Sequence, residues 1–357
     1  MKSIFLLNER VTKSSPSQFF DLLEKQSNKY KFHRLYLSSL TPVKSKTNWK
    51  SLIKNLIIPQ RIQKINALIN KYKCFMIFST GIVSDFWTAF FIKGPKRVCF
   101  IRGHLPEVYS YRFNYFKIGY VLGLFHYFIA TNFDQIVVMT TSMQLELEKI
   151  TGIKAHILYN YADPPFNYED LNRIKSSRVT NNVLDIGIVG SLLKAKGIED
   201  AIIGFSEAIK LIPNIRLCIY GSGPERDYFE NFSSKHLPIE SYKFYGYLNN
   251  KQDIYKNMVI LIHSSHTEGT SRAVLEALSS HVIVLHRDIK GANELIIPGY
   301  NGYLFQNRKT ISNLICHSIE LSKIIQNTDA DIEYLLPKNF THVEFSARLN
   351  TLIEKIV

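Results

Sequence analysis

Acidic residues are missing from a long stretch near the start of this 357-residue chain. None occurs between Glu24 and Asp85, where Lys25, Lys29, Lys31, Arg34, Lys44, Lys46, Lys50, Lys54, Arg61, Lys64, Lys71 and Lys73 all fall. Cysteine is scarce too. Cys74, Cys99, Cys218 and Cys316 lie far apart with no Cys-x-x-Cys pair, which argues against zinc ribbons and dithiol motifs. They read as buried thiols of a reducing compartment. The apolar run before Asn8, Glu9 and Arg10 is too short for a signal peptide and suits a first strand. The longest apolar run, Ile118–Ala130, contains His126 and falls short of the roughly 20 residues a spanning helix needs, so it reads as a buried helix. No short-period repeat or low-complexity tract is present. These absences together predict a soluble or peripheral protein.

What is present is ordinary for a globular chain: 46% hydrophobic and 21% charged residues. That composition excludes a disordered chain, a collagen-like repeat and a small disulfide scaffold. At roughly 100–200 residues per domain, two domains are expected. The net charge of +14 is unevenly placed. Residues 1–170 carry 23 Lys/Arg against 11 Asp/Glu, while residues 171–357 carry 21 against 19. The first half therefore expects an anionic partner: nucleic acid, a membrane surface or a phosphorylated substrate.

Short apolar runs alternate with amphipathic helical patterns, which predicts parallel α/β sheets. Strands are expected at Ser3–Leu7, Arg34–Leu37, Phe75–Phe78, Arg97–Ile101 and Gln135–Met139, with helices such as Ser17–Asn28 and Trp49–Asn70 between strands. The alternation restarts at Leu184–Val189, Ile215–Tyr220, Tyr242–Tyr245, Val259–His263, Val282–Leu285 and Gly302–Phe305. Between the halves, Tyr159 to Pro165 ends in two prolines, which oppose helix and central strand and so mark a linker. The predicted architecture is two doubly wound α/β domains, 1–165 and 166–340, facing each other across a cleft, with ligands at the C-terminal strand ends.

The segment from His263 to Leu278 is the most informative. A hydrophobic strand ends in small polar residues, and Glu268-Gly269 leads into Thr270-Ser271 as the expected helix cap. A helix N-terminus offers unpaired amides and positive partial charge to a diphosphate, and Gly269 allows close backbone approach. Glu268 and Glu276 bracket that terminus. One carboxylate matches a ribose diol and the other faces the reacting end of a donor, unless both are solvated helix glutamates. Further turns follow each strand: Gly190-Ser191 running to Lys194, Lys196 and Gly197; Gly221-Ser222-Gly223-Pro224; Gly246 with Tyr247-Leu248; Gly291-Ala292-Asn293-Glu294; and Asn301-Gly302.

This ordered series resembles the retaining family 4 glycosyltransferases of the GT-B fold (two Rossmann-like domains), of bacterial polysaccharide and O-antigen type. It covers essentially the whole second half. The family's Glu-x7-Glu is matched by Glu268 and Glu276, its Lys-Gly by Lys196-Gly197, and its Gly-x-Gly-Pro by the segment from Gly221. The first half matches more loosely, through Asn160 and Asp163, Thr141-Ser142, and His104 in the loop after a strand. The closing segment, placed at 341–357, resembles the helix that crosses back to the first domain.

The resemblance implies a hexosyltransferase that moves sugar from a UDP- or GDP-sugar with retention, without a metal and without a cofactor, the nucleotide sugar being a substrate. Glu276 would hold the ribose diol. Lys196 and the amides of Thr270 and Ser271 would stabilise the departing diphosphate, for which a fixed cation is most effective. Backbone groups around Tyr247 and Leu248 would meet the base, and Glu268 and His104 would face the transferred sugar from opposite domains, with no protein nucleophile. His104 has a structural alternative. The family's Arg is replaced by Ser191, leaving Lys194 or Arg272 as substitutes, although Arg272 is equally a solvated side chain. The Gly that follows the second Glu in the family is His281 here, so that turn is expected to differ. Thr12 to Ser17 stands where the family has Gly-Gly.

Asp329-Ala330-Asp331 spells the Asp-x-Asp of metal-dependent glycosyltransferases, but in a polar C-terminal segment, and reads as surface. Trp49, Leu52, Ile53, Leu56 and Ile57 share one helical face flanked by Lys50 and Lys54, which suits an anionic bilayer or a domain core. Aromatic clusters at Phe86-Trp87, Phe90-Phe91 and Tyr109 to Phe116 read mostly as core. The favoured expectation is a cytoplasmic enzyme, peripheral on the inner face of the membrane, with a lipid-linked saccharide acceptor in lipopolysaccharide, O-antigen or capsule synthesis. A soluble acceptor is the alternative. No nucleic-acid module accompanies the basic charge, so nucleic acid is not an expected partner.

Overall fold

The structure is a computed structural model that describes residues 2–8, 20–21, 23–24, 30–36, 59–112, 116–180, 182–326 and 335–356. The Thr12–Ser17 loop, the amphipathic segment Trp49–Ile58 and Asp329-Ala330-Asp331 lie outside these residues. By contacts the chain divides into two compact units, Met1–Asn160 with Val343–Val357, and Tyr161–His342. The final helical segment thus groups with the first unit.

The first unit holds β1 (Lys2–Asn8), β2 (Tyr30–Tyr36), α1 (Pro59–Lys71), β3 (Cys74–Thr80), α2 (Ile82–Phe91) and β4 (Lys96–Phe100). It continues with α3 (Leu105–Arg112), α4 (Phe116–Ala130), β5 (Gln135–Val138), α5 (Thr141–Thr151) and the two-residue β6 (His156–Ile157). Its six-stranded sheet runs β2-β1-β3-β4-β5-β6, parallel throughout. Apolar runs such as Ile4–Leu7 are buried on both faces, as a helix-covered parallel sheet requires.

In the second unit come α6 (Tyr168–Thr180), β7 (Leu184–Val189), α7 (Ile198–Leu211), β8 (Ile215–Tyr220), α8 (Arg226–His236), β9 (Tyr242–Gly246) and α9 (Lys251–Tyr255). Then follow β10 (Met258–His263), α10 (Arg272–Ser279), β11 (Ile283–Arg287), β12 (Gly302–Phe305) and α11 (Ile311–Gln326). The last helix of the chain is α12 (His342–Ile356). The second sheet runs β12-β11-β10-β7-β8-β9, again parallel. Each expected strand is present within a few residues of its predicted ends, and only β6 had no sequence signal. In α7, Ile198, Ala201, Ile202 and Phe205 repeat at helical spacing and face the core built on Ile186, Leu217 and Ile260.

Three expectations are corrected. The run Ile118–Ala130 forms most of α4 but is not a buried helix, since Ile118, Val121, Phe125 and Phe128 are exposed. The run is apolar all round, so its pattern could not show which side packs. In the aromatic clusters Trp87 and Tyr109 are core, whereas Phe90, Phe91 and Tyr111 are exposed. Cys74, Cys99 and Cys218 are buried thiols, but Cys316 is only half-buried. Among the described residues no helix is long and apolar enough to cross a membrane.

Candidate functional site

β7 and β10 are neighbours, and from them the strand order runs outward in opposite directions, so their C-terminal ends form a switch-point crevice. These ends bound a small open recess lined by Gly190, Ser191, Lys196, His263, Ser264 and Ser265. Three sequence-predicted residues, Gly190, Ser191 and Lys196, therefore meet in one place. The loop after β8 lies alongside. A Cβ on Gly221 would stand 1.8 Å from the Gly190 carbonyl oxygen, and one on Gly223 would stand 2.3 Å from the Leu192 carbonyl oxygen. Only glycine permits this approach.

Lys196 closes the short 3-10 turn Lys194–Lys196. Gly197 follows with φ 58, the left-handed region that favours glycine, and its missing side chain leaves room for the Ser264 carbonyl. Ser264 Oγ donates to the Lys196 carbonyl at 2.9 Å, and Arg287 Nε donates to the Ser264 carbonyl at 2.8 Å. Arg287 is itself held by Asp200. So strapped, Lys196 Nζ donates to Glu268 Oε1, which also accepts from Ser265 Oγ at 3.0 Å. His263 Nε2 lies 3.5 Å from the same oxygen. Burial alone would raise the Glu268 carboxyl, but the Lys196 charge and His263 outweigh it and hold the pKa well below the usual carboxylate range. The pair is a half-buried, fixed charge couple.

Glu276 stands in the second turn of α10 and is buried. Its Oε1 is 2.7 Å from Lys251 Nζ and 3.6 Å from Arg272 Nη2, and its Oε2 accepts from Tyr255 Oη at 3.1 Å. Burial, then the Glu276 charge, pushes the Tyr255 phenol well above its ordinary pKa, so it remains a donor. Sequence reasoning missed Lys251 and Tyr255. Their signal was faint, because they sit on the one-turn helix α9, whose sequence shows no periodicity. Ser271 occupies the N-cap of α10 as expected, and its side chain makes no capping hydrogen bond. The buried Thr270 hydroxyl is likewise unpartnered. Gly269 is not among the positive-φ glycines.

Other predicted residues lie elsewhere or are otherwise engaged. Lys194 is exposed, with its Nζ 5.3 Å from the Tyr228 ring centroid. Tyr247 is exposed and Leu248 half-buried, just beyond Gly246, whose carbonyl accepts from Gly221 N at 2.8 Å. His104 belongs to the first unit and is 1% exposed. Its Nδ1 lies 3.0 Å from Glu146 Oε2 and its Nε2 3.3 Å from Ser142 Oγ, so both ring nitrogens are engaged within that unit. Asn301 braces its loop through the Leu295, Ile297 and Leu335 backbone. Among the described residues, no three His, Cys, Asp or Glu side chains gather as a metal site.

His281 adopts φ 55, the left-handed conformation a glycine would take there. The imidazole is buried with neither nitrogen hydrogen-bonded, and burial pushes its pKa down to about 3. Beside it Arg178, fully buried, donates to the carbonyls of Ser280 at 2.7 Å, Lys256 at 3.0 Å and Tyr255 at 2.5 Å. Arg178 thereby fixes the C-terminal ends of α9 and α10, the two helices that carry Tyr255, Lys251 and Glu276.

Two parallel six-stranded sheets in this order define a GT-B protein. The chain matches the Anabaena HepE structure in complex with UDP-glucose with a TM-score of 0.75 at 16% identity, covering 99% of this chain and 100% of that one. At that identity the likeness concerns the fold. Residues 172–328, within the second unit, match the model of the family "Glycosyl transferases group 1". Curated relatives include the "UDP-N-acetylglucosamine--peptide N-acetylglucosaminyltransferase GtfA subunit" of Limosilactobacillus reuteri subsp. suis. It is 26% identical over 52% of this chain and 37% of the relative. The "Capsular polysaccharide biosynthesis glycosyltransferase CapM" of Staphylococcus aureus is 24% identical over 68% of this chain and 66% of the relative. The chain thus spans less than two thirds of the length of these relatives.

Proposed function

We propose that the protein transfers a sugar from a nucleoside-diphosphate sugar to a saccharide hydroxyl in surface-polysaccharide synthesis. The observation that carries this reading is the Lys196–Glu268 couple at the switch-point recess of a group 1 glycosyltransferase domain. A lysine ammonium has three donors, so one can hold Glu268 while the others take phosphate oxygens. The unpartnered Thr270 hydroxyl and the α10 amides add neutral donors for the same diphosphate. Glu276 receives the ribose diol in exchange for Lys251, while Tyr255 keeps hold of its other carboxylate oxygen. UDP is the favoured nucleotide, because HepE was solved with UDP-glucose and the GtfA relative is named for a UDP-sugar.

The transfer itself proceeds with retention and needs no metal. The bond from the sugar's anomeric carbon to the diphosphate breaks as the acceptor oxygen bonds from the same side, and the acceptor's proton passes to the departing phosphate oxygen. Glu268 is no nucleophile in this scheme; through Oε1 it holds Lys196 and Ser265. The acceptor is lipid-linked, and the basic first half meets an anionic membrane surface. The decisive test is a ligand panel of UDP, GDP and their common sugars, read by thermal shift. Stabilisation by UDP and a UDP-sugar is expected, and no response to any nucleotide would remove the reading. Product stereochemistry by NMR then tests retention.

A further inference from the structure

Only one side of α4 is used for packing. Gly119 and Gly123 press against α3: a Cβ on either would stand 2.3 Å from the Tyr109 carbonyl oxygen or 2.4 Å from Pro106 Cα. His126, Tyr127, Ile129 and Ala130 are buried. On the opposite side Ile118, Val121, Phe125 and Phe128 are 60%, 64%, 46% and 62% exposed. Spaced by three, four and three residues, they fall within an arc of about 80° and run about 15 Å along the helix. The only charged side chain on α4 is the exposed Lys117, and no acidic residue lies between Glu107 and Asp134.

A contiguous aliphatic and aromatic stripe of this kind is costly in water and marks a contact surface. At 15 residues α4 is too short to span a bilayer. It is long enough to lie in the interface, with the apolar arc at the acyl boundary and lysine at the headgroups. The chemistry of the surroundings chooses between lipid and a second copy of the chain. A symmetric dimer would bring together two first halves in which 23 Lys/Arg face 11 Asp/Glu, whereas an anionic surface attracts that charge.

We propose that the Ile118–Val121–Phe125–Phe128 face of α4 seats the first unit on an anionic lipid bilayer. The proposal rests on the membrane-surface reading above for the sign of the lipid charge, and adds to it the element that inserts.

The test is co-sedimentation of the full chain with phosphatidylglycerol–phosphatidylcholine vesicles and with pure phosphatidylcholine vesicles. The wild type is expected to bind the anionic vesicles and to release at high salt. The double variant Val121→Asp/Phe125→Asp is expected to partition at least about tenfold more weakly, as loss of two buried apolar side chains dictates. Its UDP-induced shift should stay unchanged and its thermal midpoint fall by only a few degrees, because Val121 is 64% and Phe125 46% exposed. Lys117→Glu, which keeps the apolar arc, is expected to weaken binding in a salt-dependent manner. Equal binding of wild type and double variant would overturn the role of α4 while leaving the membrane reading standing. No binding by the wild type would overturn both. A concentration-dependent dimer in light scattering that the double variant abolishes would assign the face to self-association instead. Vesicle binding needs no nucleotide, so the glycosyl-transfer reading stands or falls separately.

Discussion

Lys251 Nζ lies 2.7 Å from Glu276 Oε1, joining the one-turn helix α9 to the helix that leads out of the recess. The lysine and the Tyr255 hydroxyl between them satisfy both oxygens of a buried carboxylate. A ribose diol that takes over this carboxylate must displace the lysine, which is 34% exposed and has room to swing outward. Glu276→Ala is therefore expected to leave the fold intact by circular dichroism and to abolish both turnover and the UDP-induced thermal shift. Wild-type turnover in that variant would falsify the donor-site assignment.

Lys196 serves two partners, Glu268 in the structure and the diphosphate in the proposed reaction. Lys196→Ala should lower kcat by about 10²–10³, the usual loss when a fixed donor to a developing anion is removed. The variant also strips Glu268 of the charge that lowers its pKa, so the carboxyl should move back up. Adding Glu268→Gln should recover stability lost in Lys196→Ala but no activity. Recovery of activity in the double variant would mean that Lys196 acts only on Glu268.

Two buried histidines set the acid limit. Burial pushes His281 and His286 down to about 3, His286 also feeling His263. Each is neutral in the folded state, while in the unfolded chain it takes up a proton below about pH 6.5. The unfolded state therefore binds more protons between those values, and stability falls as pH drops from about 6.5. At about pH 5.5 each histidine should cost roughly 1 kcal/mol, measured as a shift in urea midpoint from its value at neutral pH. Glu268 contributes in the same sense but in a lower window: its carboxyl is held well below the usual carboxylate range, so the stability present above that range is lost as pH falls through it. His281→Gln should flatten the slope, and an unchanged slope would exclude His281 as its source.

Arg178 binds three carbonyls that belong to the ends of α9 and α10. A lysine at this position has neither the planar fork nor the reach for all three. Arg178→Lys should cost about 2–4 kcal/mol in urea unfolding, since buried carbonyls lose their donors. If the loss is under about 0.5 kcal/mol, water or neighbouring groups must replace the guanidinium.

The legible parts of the molecule were those written in contiguous residues. Strands such as Met258–His263 declare themselves by an unbroken apolar run up to Ile262, and the Gly221–Gly223 turn by residues that leave space for another backbone. Where one position can be filled in two ways, the sequence was less legible. His281 stands where the resemblance puts a glycine and adopts φ 55, in the left-handed region that glycine favours. Ser271 had the composition of a cap, but its hydroxyl makes no capping bond.

By itself the sequence determined two parallel α/β sheets, the loops at their C-terminal ends and the uneven charge, because periodicity, turn chemistry and charge are local properties. Only the tertiary structure decided which side chains meet. Lys196 reaches Glu268 because β7 and β10 are sheet neighbours, and Tyr255 and Lys251 reach Glu276 because α9 packs where α10 begins its second turn. It also decided which side of α4 is left in water. A helix apolar on every side beyond Lys117 has no clear polar face to point outward, so the packing of Gly119 and Gly123 against α3 makes that choice.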